Sequence, residues 1–258
     1  MQAKAKSIVN DVSRINAAER RVGFAAPLVL LALAILLGLG TWQVQRLHWK
    51  EGLIADIAER RVAHPASLAD IEAMATSGDD IEYRRVALSG VFDHGRERHF
   101  FATYAGQTGY YVYTPLTLGD GRVIFVNRGF VPFDVKEPAR RQQGQVEGEV
   151  HIQGLARAKL AGKPSLMLPD NDIAKNIFYW KDLMAMAESA GVPAARLVPI
   201  FVDANEAPNP GGWPKGGVTL TDLPNNHLQY AITWYGLAAA LVIVVGFAYF
   251  RNRSGQDD

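Results

Sequence analysis

The chain has 258 residues, 48% of them hydrophobic and 21% charged, with 27 basic side chains against 26 acidic ones. That balance argues against a dedicated nucleic-acid binder, which would show a clustered basic excess, and the apolar content argues against disorder. There is no cysteine, which excludes disulfides, zinc–thiolate sites, iron–sulfur clusters and cysteine nucleophiles.

Residues 1–22 form a short tail carrying Lys4, Lys6, Arg14, Arg20 and Arg21. Val22 to Gln45 is a run of 24 residues without a charge, and residues 23–45 are read as a first transmembrane helix. A cleaved signal peptide is the alternative reading, but no small-residue cleavage site follows the apolar run. Leu223 to Phe250 is a second uncharged run, of 28 residues, and residues 226–250 are read as a second transmembrane helix. Residues 251–258 form the closing tail, with Arg251 and Arg253. Basic flanks stay in the cytoplasm. Both termini are therefore expected there, with residues 46–225 across an inner (cytoplasmic) membrane, in the periplasm.

That central region carries 20 basic and 22 acidic residues, the balance of an ordinary soluble domain. Glu51–Val62 reads as helical and 64–82 as a polar connector holding a short helix. Strand-like segments follow at Tyr83–Phe92, Arg98–Tyr104, Tyr110–Thr117, Val123–Asn127, Glu149–Arg157 and Pro199–Asp203. Gly119-Asp120-Gly121 marks a hairpin. Gln142–Gly148 reads as an exposed loop, Asp172–Ser189 as a helix, and Asn205–Pro214 as irregular. The expected fold class is a membrane protein. Two transmembrane helices would flank an α+β, mainly antiparallel β-barrel-like extracytoplasmic domain.

Enzyme signatures fail. No Gly-x-Ser-x-Gly elbow, zinc His-Glu-x-x-His or phosphate loop occurs. His94 and His99, five apart on strand-like sequence, should face opposite sides and share no metal. Asp79, Asp80 and Glu82 read as a solvated turn, and Asp182 as a residue pairing inside a helix. Arg128 reads as a buried structural pair-former or a propionate contact. Tyr83, Tyr110 and Tyr111 read as barrel packing. The chain is not expected to be an enzyme.

The outer ends of the two spans are richer. One reads Gly40 to Lys50, with Trp42, Arg46, His48 and Trp49; the other reads Asn225 to Tyr235, with His227, Tyr230 and Trp234. Trp and Tyr at this depth are commonly an aromatic belt. His227 differs, because an ionisable residue at the edge of a span is a functional candidate. Neutral imidazole suits iron, flat aromatics would flank a porphyrin, and Arg46 or Lys50 would meet propionates. A satisfied structural histidine is the other reading, and the residues alone leave both open.

Four blocks together resemble the surfeit-locus-one family. They are Leu39 to Lys50; Glu82-Tyr83-Arg84-Arg85-Val86 with Gly90-Val91-Phe92; Gly109 to Leu116 leading to Val126-Asn127-Arg128-Gly129-Phe130-Val131-Pro132; and Asn225 to Gly236. Phe130 stands where that family usually has Trp, and the aromatics in Asn176 to Asp182 are shifted. The resemblance implies an assembly factor for haem–copper cytochrome c oxidase that binds haem a, non-covalently and transiently, and assists its insertion into subunit I. It places the implicated iron ligand at His227, with Trp42, Tyr230 and Trp234 walling the ring. Implied partners are subunit I, haem A synthase, other oxidase assembly factors and the lipid bilayer, with no nucleic acid. The alternative is a scaffold that docks oxidase subunits without touching haem.

Overall fold

The computed structural model describes the backbone of residues 2–221 and 223–254, and the side chains of 26–221 and 223–251. Met1 and 255–258, at the extremes of the two expected tails, lie outside the described residues, as does Asp222. The chain divides into two units, one of Met1–Ile54 with Leu223–Asp258, the other of Ala55–Asp222.

The helix α1 (Gln2–Val62) takes in both the expected span and the expected helix at 51–62 as one helix. The second apolar helix, α4 (His227–Ser254), has 28 residues, or about 42 Å at ~1.5 Å per residue. The hydrocarbon layer of a bilayer is ~30 Å. Both helices are long and apolar enough to cross a membrane. α4 starts where Pro224 and two asparagines end the preceding irregular segment, with the Asn226 carbonyl accepting from the Tyr230 N–H at 3.2 Å.

In the second unit, α2 (Leu68–Ser77) is bounded by local chemistry. Ser67 caps the Asp70 N–H, Asp70 reaches back to the Ser67 N–H, and Gly78 at φ 83° closes the helix. Seven strands follow: β1 (Arg85–Phe92), β2 (Arg98–Tyr104), β3 (Gln107–Leu118), β4 (Val123–Pro132), β5 (Glu149–Ala158), β6 (Ile177–Phe178) and β7 (Leu197–Ala204). Five close on themselves in the order β1-β5-β7-β4-β3 and back to β1. β2 and β6 extend the sheet from β3. Closure depends on Gly90, Val91 and Phe92 pairing with Leu118, Thr117 and Leu116. A Cβ on Gly90 would run into the Thr117 carbonyl and the Leu116 side chain, so only glycine allows this approach.

Alternation in β1 sends Val86, Leu88 and Phe92 inward, where they meet Leu116, Ile124, Val126, Ile200 and Val202. β4 is buried at every position. Its other face, with Val123 and Phe125, packs under α3 (Leu183–Ser189) through Leu183, Met186 and Ala187.

Several sequence expectations need correction. The ladder is mainly antiparallel, but β4–β7 and β2–β6 are parallel. The helix expected over Asp172–Ser189 shrinks to Leu183–Ser189. Asn171 Oδ1 accepts from the N–H groups of Tyr179 (2.8 Å) and Trp180 (3.2 Å), and Asp172 bridges Ile177 across a turn with Asn176 at φ 52°. Those side-chain bonds compete with helix. Asp182 is then the cap of α3, accepting from the Ala185 N–H at 3.0 Å, rather than a residue within a helix. Gln142–Gly148 is only partly an exposed loop, because Gly144 is buried.

Phe125 is fully buried between β4 and α3. Replacing it with Ala should cost about 3–5 kcal/mol in chemical denaturation of the detergent-solubilised chain. Leu166→Ala, at a fully exposed side chain, should stay within about 0.5 kcal/mol.

Candidate functional site

Along α1 the less exposed positions recur at Leu33, Leu36, Gly40, Gln43, Leu47 and Lys50, and along α4 at His227, Ala231, Trp234, Ala238 and Leu241. Alternate steps of three and four are the seam of two helices that pack along their length. Gly40, Ala231 and Ala238 are the small residues that let helix backbones approach in an apolar medium. A Cβ on Gly40 would lie 2.9 Å from the Tyr235 ring.

Two polar pairs cross this seam. His227 Nδ1 lies 2.7 Å from Gln43 Oε1. Thr41 Oγ1 lies 3.0 Å from the Tyr235 hydroxyl. Thr41 already donates to the Leu37 carbonyl at 2.9 Å, so Tyr235 donates to Thr41. Residue 43 meeting 227, and 41 meeting 235, makes the pair antiparallel. A carbonyl oxygen on Gln43 requires a proton on Nδ1 of His227. Nε2 then carries the free lone pair, the arrangement that a metal-ligating imidazole needs.

The other sequence-stated residues are distributed around this pair. Trp234 lies half-buried on the seam with His227, and Lys50 lies on the α1 stripe of Gln43. Trp42 and Tyr230 are 51% and 54% exposed. The Arg46 guanidinium sits 4.2 Å over the Trp49 ring, a cation–π contact. His48 is exposed. Sequence reasoning missed Gly40, Thr41, Gln43 and Tyr235. The signal for Gly40 and Gln43 was their three-residue step inside an apolar run, in line with Leu36 and Leu47.

A second concentration of polar groups lies in the barrel unit. Glu97, His99 and Arg141 are all buried. Glu97 Oε1 meets His99 Nε2 at 3.0 Å and also accepts from Arg141 Nη2. Asn176 donates to the Glu97 carbonyl at 3.0 Å and lies 3.1 Å from His99 Nδ1. Arg128, also buried, donates to the Gly144 carbonyl and to Asn209 Oδ1 at 3.2 Å. Its Nη1 lies 3.2 Å from His94 Nδ1, and His94 Nε2 lies 2.9 Å from the Val146 carbonyl. Arg128 therefore has a structural anchorage. His94 and His99 each have separate protein partners, and among the described residues no group of three or more His, Asp or Glu is placed to hold a metal. Asp80 pairs with Arg60 at 2.6 Å, and Glu82 with Arg157 at 3.0 Å, so this turn is tied into the fold rather than simply solvated.

Burial alone would push the Glu97 carboxyl up, but His99 and Arg141 together outweigh it and hold it below its ordinary 4.5. A carboxylate depressed in the folded state contributes stability above its unfolded pKa, and that contribution is lost as pH falls through the folded value. Acid unfolding should therefore steepen below about pH 4.5. Glu97→Gln should flatten this limb, while costing about 3–5 kcal/mol at neutral pH because Arg141 loses its counter-charge. Denaturation curves recorded from pH 7 to 3 check both effects.

Comparison with known proteins matches residues 30–239 to the model described as the SURF1 family. Surfeit locus protein 1 of Homo sapiens is 40% identical over 244 residues, which is 88% of this chain and 78% of that protein. Its Rattus norvegicus counterpart is 42% identical over 240 residues, 87% of this chain and 74% of that protein. The SURF1-like protein of Monosiga brevicollis is 36% identical over 261 residues, covering 95% of this chain and 94% of its own length. Matches of this identity and coverage run through the first apolar helix, the barrel and the start of the second, and the chain belongs to the SURF1 family.

Proposed function

We propose that the chain is an inner-membrane assembly factor for haem–copper cytochrome c oxidase, that it binds haem a through His227, and that it assists transfer of the haem to subunit I. The observation that carries this reading is the His227–Gln43 pair. It leaves Nε2 free on an imidazole whose other nitrogen is already committed, at the level where two apolar helices meet. Family membership supports the biological context.

The donor set fits the group. Haem a, when bound, supplies an iron that accepts a nitrogen lone pair and two propionates that need cations. His227 would offer the lone pair. Trp42 and Tyr230 present exposed flat faces and Trp234 a half-buried one. Arg46 and Lys50 supply positive charge at the end of the uncharged run. Without cysteine the chain forms no thioether to haem, so attachment is exchangeable, which suits a carrier. Gln43 holds the imidazole in one tautomer and orientation. The protein's part is thus to bind, orient and release, with no chemical step of its own.

Topology belongs to the same reading. Basic tails keep both termini in the cytoplasm, which leaves the barrel in the periplasm with haem A synthase and subunit I as partners in the same bilayer. Phosphatase and fluorescent reporters fused after Asp258 test this. Fluorescence without phosphatase activity is expected, and the reverse pattern refutes the orientation.

The central test is co-production with a haem a pathway, followed by an absorption spectrum of the purified chain. His227→Ala should abolish the bound-haem spectrum with the protein still in the membrane. Gln43→Leu should weaken binding roughly 10–100-fold, as loss of an outer hydrogen bond does at other metal sites. His48→Ala should leave the spectrum unchanged. An unaltered spectrum in His227→Ala would remove the ligand assignment and favour a scaffold that does not touch haem.

A further inference from the structure

Arg128 lies in the middle of a strand buried at every position, with only 2% of its surface exposed. Its hydrogen-bond partners are neutral: the Gly144 carbonyl, Asn209 Oδ1 and an imidazole nitrogen of His94. Burial depresses the pKa of His94 below the usual 6.5, which keeps that ring neutral at pH 7. Among the described residues, ten ion pairs form within 4.0 Å, and Arg128 is in none of them. The charges that act on it are Glu97, which is already engaged by Arg141, and Arg141 itself. Two guanidinium groups thus share a single carboxylate. Burial pushes the Arg128 pKa down to about 10, which still leaves it charged.

Arg128 also lines a cavity of about 340 Å³. Phe92, Ile152 and Pro208 supply apolar lining, and His151, Gln153, Asn205 and Asn209 supply polar lining in about equal measure. The Phe92 ring lies 4.9 Å from the Arg128 guanidinium. A concave lining that combines apolar side chains with convergent polar groups can hold a small ligand. A buried cation that lacks a counter-ion is unfavourable, and a guanidinium fork matches a carboxylate in shape and charge.

We infer that this cavity binds a carboxylate carried on a short apolar stem, with Arg128 as its anchor. The charge deficit is one unit, which suits a monoanion better than phosphate. The carboxylate can come from a free aliphatic acid or from an acidic side chain of a partner protein. This inference is independent of the haem reading, since its residues and its test involve neither His227 nor haem.

Saturation-transfer NMR on the full chain in nanodiscs tests it, with three probes: butyrate, the blocked peptide acetyl-Ala-Glu-Ala-amide, and butyramide as the uncharged control. Saturable binding of butyrate, the peptide or both is expected, with Kd in the ~mM range, and none for butyramide. Preference for butyrate assigns a free acid, and preference for the peptide assigns a partner side chain. Arg128→Gln should weaken binding at least about tenfold, the usual scale for a charged hydrogen bond. Because that buried substitution can impair folding, Ala207→Trp is the second variant. Ala207 lines the same cavity at its exposed side, so Trp there should fill the space with Arg128 intact, and should weaken binding as much. Failure of both acids to bind overturns the assignment. So does equal binding of butyramide, or unchanged binding in Ala207→Trp.

Discussion

Pairing between the end of β1 and the end of β3 is the constraint on which the barrel unit rests. Without it, β1 and β3 would each leave a row of unpaired backbone groups at a sheet edge. The interior residues Leu88, Phe92 and Leu116 would then share a half-open layer. Closure is possible because β3 is long enough to serve two partners on one side. Gln107–Tyr113 pairs with β2, and Leu116–Leu118 turns to β1. The switch needs a residue without a side chain on β1, and Gly90 stands there.

Closure has a consequence for β4. With β3 and β7 on its two sides, the barrel interior on one face and α3 on the other, every residue from Val123 to Pro132 is buried. Apolar residues benefit from this, but Asn127 and Arg128 must find partners inside. Asn127 does so on Asp203 of the neighbouring strand, at 2.9 Å. For Arg128 the partners come from two irregular segments, through Gly144 and Asn209. Gly129, at φ 125°, lets one of these segments lie against the strand, where Phe130 and Lys215 exchange backbone hydrogen bonds at 2.8 and 2.9 Å. The loops are therefore part of the core's polar accounting.

This explains which features were legible in the sequence. The alternation in β1 and the aromatic and β-branched runs in β2 to β5 report local burial, and the strands lie there. The parallel pairing of β4 with β7 is invisible locally, because a strand buried on both faces reads as an apolar run whatever its neighbours. The extension of β4 through Arg128-Gly129-Phe130-Val131-Pro132 was missed because a charge, a glycine and a terminal proline all look like strand breakers. The loop at Gln142–Gly148 looked exposed because its side chains are polar, while what is buried there is a glycine carbonyl. At the helix pair, His227 stood out as an ionisable residue beside an apolar run. Gln43 did not, since Gln43, Gln45 and Gln229 look alike until the helix register says which one faces inward.

That register gives the two polar pairs a function beyond their own energy. Small residues such as Gly40, Ala231 and Ala238 bring helices close but define rotation weakly, because an apolar surface slides over another at little cost. A hydrogen bond, by contrast, tolerates only a narrow range of distance and angle. His227–Gln43 and Tyr235–Thr41, about two helical turns apart along α4, can both form in only one rotation and one register of α4 against α1. Locking that register also locks the imidazole, since the same bond that aligns the helices selects the proton on Nδ1. Orientation of the helix pair and presentation of Nε2 are thus one event, and a change at Gln43 acts on both together.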